Sequence, residues 1–143
     1  MSLKGVFDLF GFHKDDEDSK ISKDLEDFKE SPHFKLGMFR KLITQGNVFK
    51  KQIISFFEKS DDDFDTDGIN LAGEYMVYVR AYFWIQDCKI KSKFWNEALK
   101  VNADLDFLLT LDLSIKYFES VEEFEKCAHL KKIYDFVKKN LEK

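Results

Sequence analysis

The stretch "NLAGEYMVYVRAYFWIQ", residues 70–86, decides between a helical and a β-rich fold. From Met76 to Ile85 it is apolar except at Arg80, a run that could be a buried strand or a buried helix. The run is long for a strand, and its approach through Ala72 and Glu74 is made of good helix formers. A helix that is apolar nearly all round is one covered on most sides, so residues 70–86 read as a central helix launched by an Asn70 cap. Composition agrees, because one Pro and six Gly leave few breaks and 16 Phe supply core material. The fold class expected is all-α, a single compact bundle of about six helices.

Working outward, the same helical period recurs on both sides. Upstream, "FKLGMFRKLIT" (34–44) sets Leu36, Phe39, Leu42 and Ile43 on one face, and Gln45-Gly46-Asn47 ends or kinks that helix. "VFKKQIISFF" (48–57) follows with Phe49, Ile53, Phe56 and Phe57 expected inward. Downstream, "SKFWNEALKV" (92–101) offers Phe94, Trp95, Ala98 and Leu99. Asp104 then caps a helix at 105–119 with Leu105, Leu108, Leu109, Leu111, Ile115 and Phe118 as its apolar set. Ser120 and Glu123 have capping-box spacing for a last helix from 121, with Phe124, Cys127, Ala128, Leu130, Ile133, Tyr134, Val137 and Leu141 inward.

The first 31 residues differ in character. Residues 13–31 are densely charged, with Ile21, Leu25 and Phe28 forming one narrow helical stripe, and Ser31-Pro32 marks a boundary because proline pushes its predecessor out of helical geometry. We therefore divide the chain into an N-terminal tail and charged segment, 1–31, and a helical domain, 32–143. Ahead of the charged segment, "GVFDLFGF" (5–12) carries Phe7, Leu9, Phe10 and Phe12. Such a peptide either folds back on the core or docks on another protein.

Charge and motif content exclude several functions. The net charge is −4, from 23 basic and 27 acidic residues, so no overall field draws the protein onto nucleic acid or an anionic membrane. No apolar run reaches the ~18–20 residues of a membrane span, and no signal peptide is visible. Cys88 and Cys127 are far apart in sequence and suit a reducing compartment, so a cytoplasmic location is expected. His13, His33 and His129 have no metal-ligand spacing, and the chain has neither a Gly-rich phosphate loop nor a nucleophile elbow, so no enzyme is expected. Arg80, set among Tyr78, Tyr82 and Trp84, either pairs with a carboxylate, snorkels to the surface, or lines a pocket.

Two stretches resemble known motifs. In "DFDTDGINLAGE" (63–74), Asp63, Asp65, Asp67, Gly68 and Glu74 follow the ligand order of an EF-hand loop, which would imply bound calcium. The surroundings depart from that family, because Asn70 stands where an apolar anchor belongs and Glu58, Lys59 and Asp62 precede the loop. The leading reading is an acidic loop that caps the next helix and needs no cofactor, with calcium binding as the alternative. In "EEFEKCAHLKKI" (122–133), Glu123, Phe124, Glu125, Cys127, Ala128, Leu130, Lys131 and Ile133 resemble the second helix of a UVR-type hairpin, the element through which UvrB and UvrC associate. That likeness covers residues 105–137 and implies association through the small-residue face at Cys127 and Ala128. The function expected is thus a protein-interaction module whose partner is another protein or a second copy, with Phe7, Leu9, Phe10, Phe12, Phe124, Cys127 and Ala128 as contacts.

Overall fold

A computed structural model of the chain describes residues 16–59 and 65–142, without the side chains of 16–18 and 66. Among these residues the fold is all-α, with seven helices and no strand: α1 (Asp16–Lys29), α2 (Pro32–Thr44), α3 (Gly46–Glu58), α4 (Thr66–Ile85), α5 (Lys93–Val101), α6 (Leu105–Ser120) and α7 (Phe124–Leu141). Six of them are the expected bundle, and α1 is the stripe-bearing helix of the charged segment. That stripe is thinly covered, with Leu25 and Phe28 both exposed.

The junctions follow from local chemistry. Ser31 holds an extended backbone before Pro32, and its Oγ both accepts from the Phe34 amide at 3.3 Å and donates to the Phe28 carbonyl at 2.6 Å. One hydroxyl thereby ends α1 and starts α2. The α2–α3 turn is a single residue, Gln45, and it is possible because Gly46 lies flush against α4: a Cβ there would meet Val77 Cγ1 at 2.7 Å. Gly46 is thus a requirement of the corner.

Two helix starts differ from the sequence expectation. The central helix α4 begins at Thr66 rather than after Asn70, because Asp65 caps it, its Oδ1 accepting from the Asp67 amide at 3.1 Å. A carboxylate at that end also meets the positive pole of the helix, so it outcompetes Asn70 as the stop. Ser120 forms no capping box: its Oγ donates back to the Tyr117 carbonyl at 2.6 Å, α6 continues through it, and α7 starts only at Phe124. Between them the chain reverses with Glu122 at φ 61°. The Glu123 amide donates to Phe118 O at 2.9 Å and the Glu122 amide to Glu119 O at 3.1 Å. This pair is a Schellman closure, with glutamate in the left-handed position that glycine normally takes.

The core forms where α2, α4, α5, α6 and α7 meet. Leu36 and Phe39 of α2, Ala81 and Ile85 of α4, Trp95, Ala98 and Leu99 of α5, Phe107, Leu111 and Phe118 of α6, and Cys127, Leu130, Ile133 and Val137 of α7 are all buried. Helix α4 meets the α6–α7 hairpin through large rings. Tyr78 stacks on Tyr117 with centroids 4.2 Å apart, and Tyr82 lies edge-on to Phe118 and to His129.

Several residues expected inside are outside. Phe56 and Phe57 are exposed on α3, as are Phe94 on α5, Phe124 and Ala128 on α7, and Leu141 at the chain's end. Helix α3 packs chiefly against α4. Leu105 and Leu109 also face out, and α6 buries Thr110 and Ser114 in their stead. Those hydroxyls are admissible inside because each donates to its own helix, Thr110 to the Asp106 carbonyl at 2.8 Å and Ser114 to the Thr110 carbonyl at 3.0 Å.

Candidate interaction surfaces

The α6–α7 hairpin is assembled from its ends inward. Asp104 caps α6, its Oδ1 accepting from the Phe107 amide at 2.7 Å, as the sequence led us to expect. The same carboxylate receives Arg40 Nη2 at 3.0 and 3.1 Å, while Arg40 Nη1 reaches the Asn102 carbonyl at 3.4 Å and the guanidinium carbon lies 5.3 Å from the Phe107 ring centroid. Arg40 therefore ties α2 to the end of α5 and the start of α6. Sequence reasoning passed over this arginine in favour of Arg80, although the Asp104 cap marked where a cation would be welcome.

At the other end, Lys126 Nζ pairs with Glu123 Oε1 at 3.0 Å and lies 5.6 Å from the ring centroids of both Tyr82 and Phe118. His129 Nε2 donates to the Ile85 carbonyl at 2.9 Å and so closes the C-terminal end of α4. Cys127 Sγ donates to the Ile115 carbonyl at 3.5 Å inside the hairpin. Burial pushes the Cys127 thiol up, and pushes that of Cys88 up to about 12, so both remain protonated near neutrality. Both are free thiols.

The small-residue pair is accordingly split. Cys127 faces α6, where its size lets the two helices approach, while Ala128 and Phe124 look outward. Around them the outer face of α7 is charged, with Glu125, Lys131, Lys132, Asp135 and Lys139 all exposed. The outer face of α6 is different. Leu105, Leu109 and Leu113 are 78%, 57% and 42% exposed at spacings of four residues, which places them on one side of the helix, opposite the buried Phe107, Leu111, Ser114 and Phe118. The signal was present in the sequence, since a helix with leucines on two faces must leave one face bare when only one neighbour layer exists.

Two of the depressions in the surface adjoin residues singled out above. An open cleft of ≈ 470 Å³ is lined by Leu42, Gln45, Val48, Phe49, Gln52, Val77 and Arg80, so Arg80 reaches the surface at the edge of an apolar cleft. A groove of ≈ 700 Å³ lies between the α4–α5 connection and α7.

Of the candidate calcium ligands, Asp65 and Asp67 adjoin each other at the start of α4 and Glu74 lies further along it. Asp65 is the α4 cap, whereas Asp67 and Glu74 are both within α4, seven residues and so ~10 Å of helical rise apart. Asp63 lies outside the described residues, as do the tail positions Phe7, Leu9, Phe10 and Phe12. No group of three or more potential metal-ligating side chains occurs among the described residues, and none of their helices is long and apolar enough to cross a membrane. Compared with protein-family models, with curated proteins and with solved structures, the chain matches none.

Proposed function

We propose that this protein is a non-enzymatic interaction module of the cytoplasm that binds another protein through the outer face of α6. The observation that carries the reading is the inversion of that helix, which buries Thr110 and Ser114 and leaves Leu105, Leu109 and Leu113 in water. Exposed leucines are ordinary one at a time, but three in register make a continuous apolar stripe of ~12 Å, the footprint of an amphipathic helix laid alongside. Removing such side chains from water on association contributes about 25 cal/mol for each Å² buried, which gives the stripe a reason to be covered.

The hairpin suits this role because both ends of α6 are pinned, by Arg40 at Asp104 and by the Schellman closure at Glu122, so little ordering is required on binding. The likeness of residues 105–137 to a UVR-type association hairpin supports the same use of these helices. Two buried, separated thiols are in keeping with a reducing compartment.

The test replaces Leu109 and Leu113 together by Glu in the full chain. Affinity capture should lose its specific partners, and light scattering on a sizing column will show whether a partner is a second copy. Melting should be unchanged, since neither side chain is in the core. Recovery of the same partners by the double variant would remove the α6 face from consideration.

A further inference from the structure

The groove between the α4–α5 connection and α7 carries a local charge opposite to that of the chain. Among the described residues its lining holds Lys89, Lys91 and Lys132, all exposed, and no carboxylate, although the whole sequence has 27 acidic residues to 23 basic. No acid among the described residues comes within ion-pairing distance of these lysines, so their charges are uncompensated. Asp87 belongs to the same connection but does not line the groove. The backbone of the connection has the same bias. The amides of Lys89, Ile90 and Lys91 donate to no acceptor among the described residues, whereas the Lys89 carbonyl accepts from the Ser92 amide at 2.9 Å and the Ile90 carbonyl from Asn96 Nδ2 at 3.0 Å. Donors are therefore left over and acceptors are taken, which favours an anion. Beneath this rim the floor is apolar: Cys88 and Ile133 are buried, Ile90 is partly buried, and His129 is fixed beside them by its bond to Ile85 O.

We propose that this groove binds a free carboxylate-headed amphiphile, of the chemical class of a medium-chain fatty acid, with its tail on the Cys88–Ile90–Ile133 floor and its head among Lys89, Lys91 and Lys132. Size agrees, since ≈ 700 Å³ lies within the roughly 300–1,000 Å³ of small-molecule sites. The floor selects against a peptide, which would lay its own N–H groups over apolar side chains beside carbonyls already engaged. A hydrocarbon tail brings no such groups. The rim selects against a neutral ligand, because the three ammonium groups repel one another until an anion sits between them. Lysine suits this head, being a point charge on a flexible stem that closes on a carboxylate without the fixed fork an arginine presents. The site is independent of the α6 leucines.

To test it, ¹H–¹⁵N spectra of the full chain are recorded during titration with decanoate, decan-1-ol and acetate at equal concentrations. Decanoate should shift residues 86–91 and 129–133 and saturate below about 1 mM, with decan-1-ol about tenfold weaker at the same residues and acetate without effect. Lys89→Gln, Lys91→Gln and Lys132→Gln combined should weaken decanoate about tenfold, and added salt should weaken it in the unaltered chain. Lys131→Gln, Lys138→Gln and Lys139→Gln combined, which remove exposed lysines of α7 outside the groove, should leave decanoate binding unchanged. All these side chains are exposed, so both variants should fold, and the unshifted remainder of each spectrum checks that they do. Shifts centred on the α6 leucines or the Leu42–Arg80 cleft, equal binding of the alcohol, equal loss in the two variants, or absence of saturation would overturn the proposal. So would a response to the pentapeptide Asp-Phe-Glu-Phe-Asp, or to phosphatidylglycerol vesicles, where decanoate gives none, because the occupant would then be a protein segment or a membrane.

Discussion

Glu122 is the residue whose backbone departs furthest from what its side chain prefers. At φ 61° it occupies the left-handed position of a Schellman closure, where a Cβ crowds the following carbonyl and glycine has no such penalty. Glu122→Gly should therefore raise stability by about 0.5–1 kcal/mol in urea unfolding, despite glycine's looser unfolded chain. A loss of stability instead would mean that the glutamate side chain contributes more than its backbone costs. Nothing in "SVEEF" announces this turn, because the sequence offers no glycine there and the Ser120–Glu123 spacing points to a cap. Asp104 is the opposite case: its cap was legible, whereas its pairing with Arg40, 64 positions away, depends on how α2 lies across the α5–α6 junction.

Among the elements, the α2–α3 corner is the most tightly specified. Gly46→Ala forces a methyl to 2.7 Å from Val77 Cγ1, a β-branched side chain with little freedom to turn aside. Overpacking of this kind costs about 1–3 kcal/mol, and we expect the Gly46→Ala variant to unfold earlier in urea by that amount. The same substitution made in a Val77→Ala background should cost almost nothing, and an undiminished penalty there would refute the steric account. Helix α6 teaches a related lesson about reading elements. Its period was plain from the sequence and its face was not, because Leu105 and Leu109 can claim one side and Phe107, Leu111, Ser114 and Phe118 the other. Only the position of α4, whose rings need Phe118 and Tyr117 turned toward them, resolves the choice.

For the whole molecule, the core holds aromatic rings and two thiols, and these set its behaviour in alkali. Cys88 is pushed from 9.0 up to about 12 by burial. Tyr78, Tyr82 and Tyr117 are raised above 10.0, first by burial and then by nearby carboxylates including Glu74 and Glu123. Each group keeps its proton longer when folded, so its contribution is complete below the unfolded value and lost as pH rises through the folded one. The melting temperature should hold from pH 7 to about 9 and fall progressively toward pH 12, with a shallower fall in Cys88→Ala. A flat profile to pH 11 would show that these groups are wet. What the sequence by itself determined is the helical class, the count of helices in the domain and most of their limits, because period, caps and breaks act over a few residues. What the tertiary structure alone decided is which leucines remain in water, which arginine is bound, and where a basic groove opens, because each depends on neighbours brought together from distant parts of the chain.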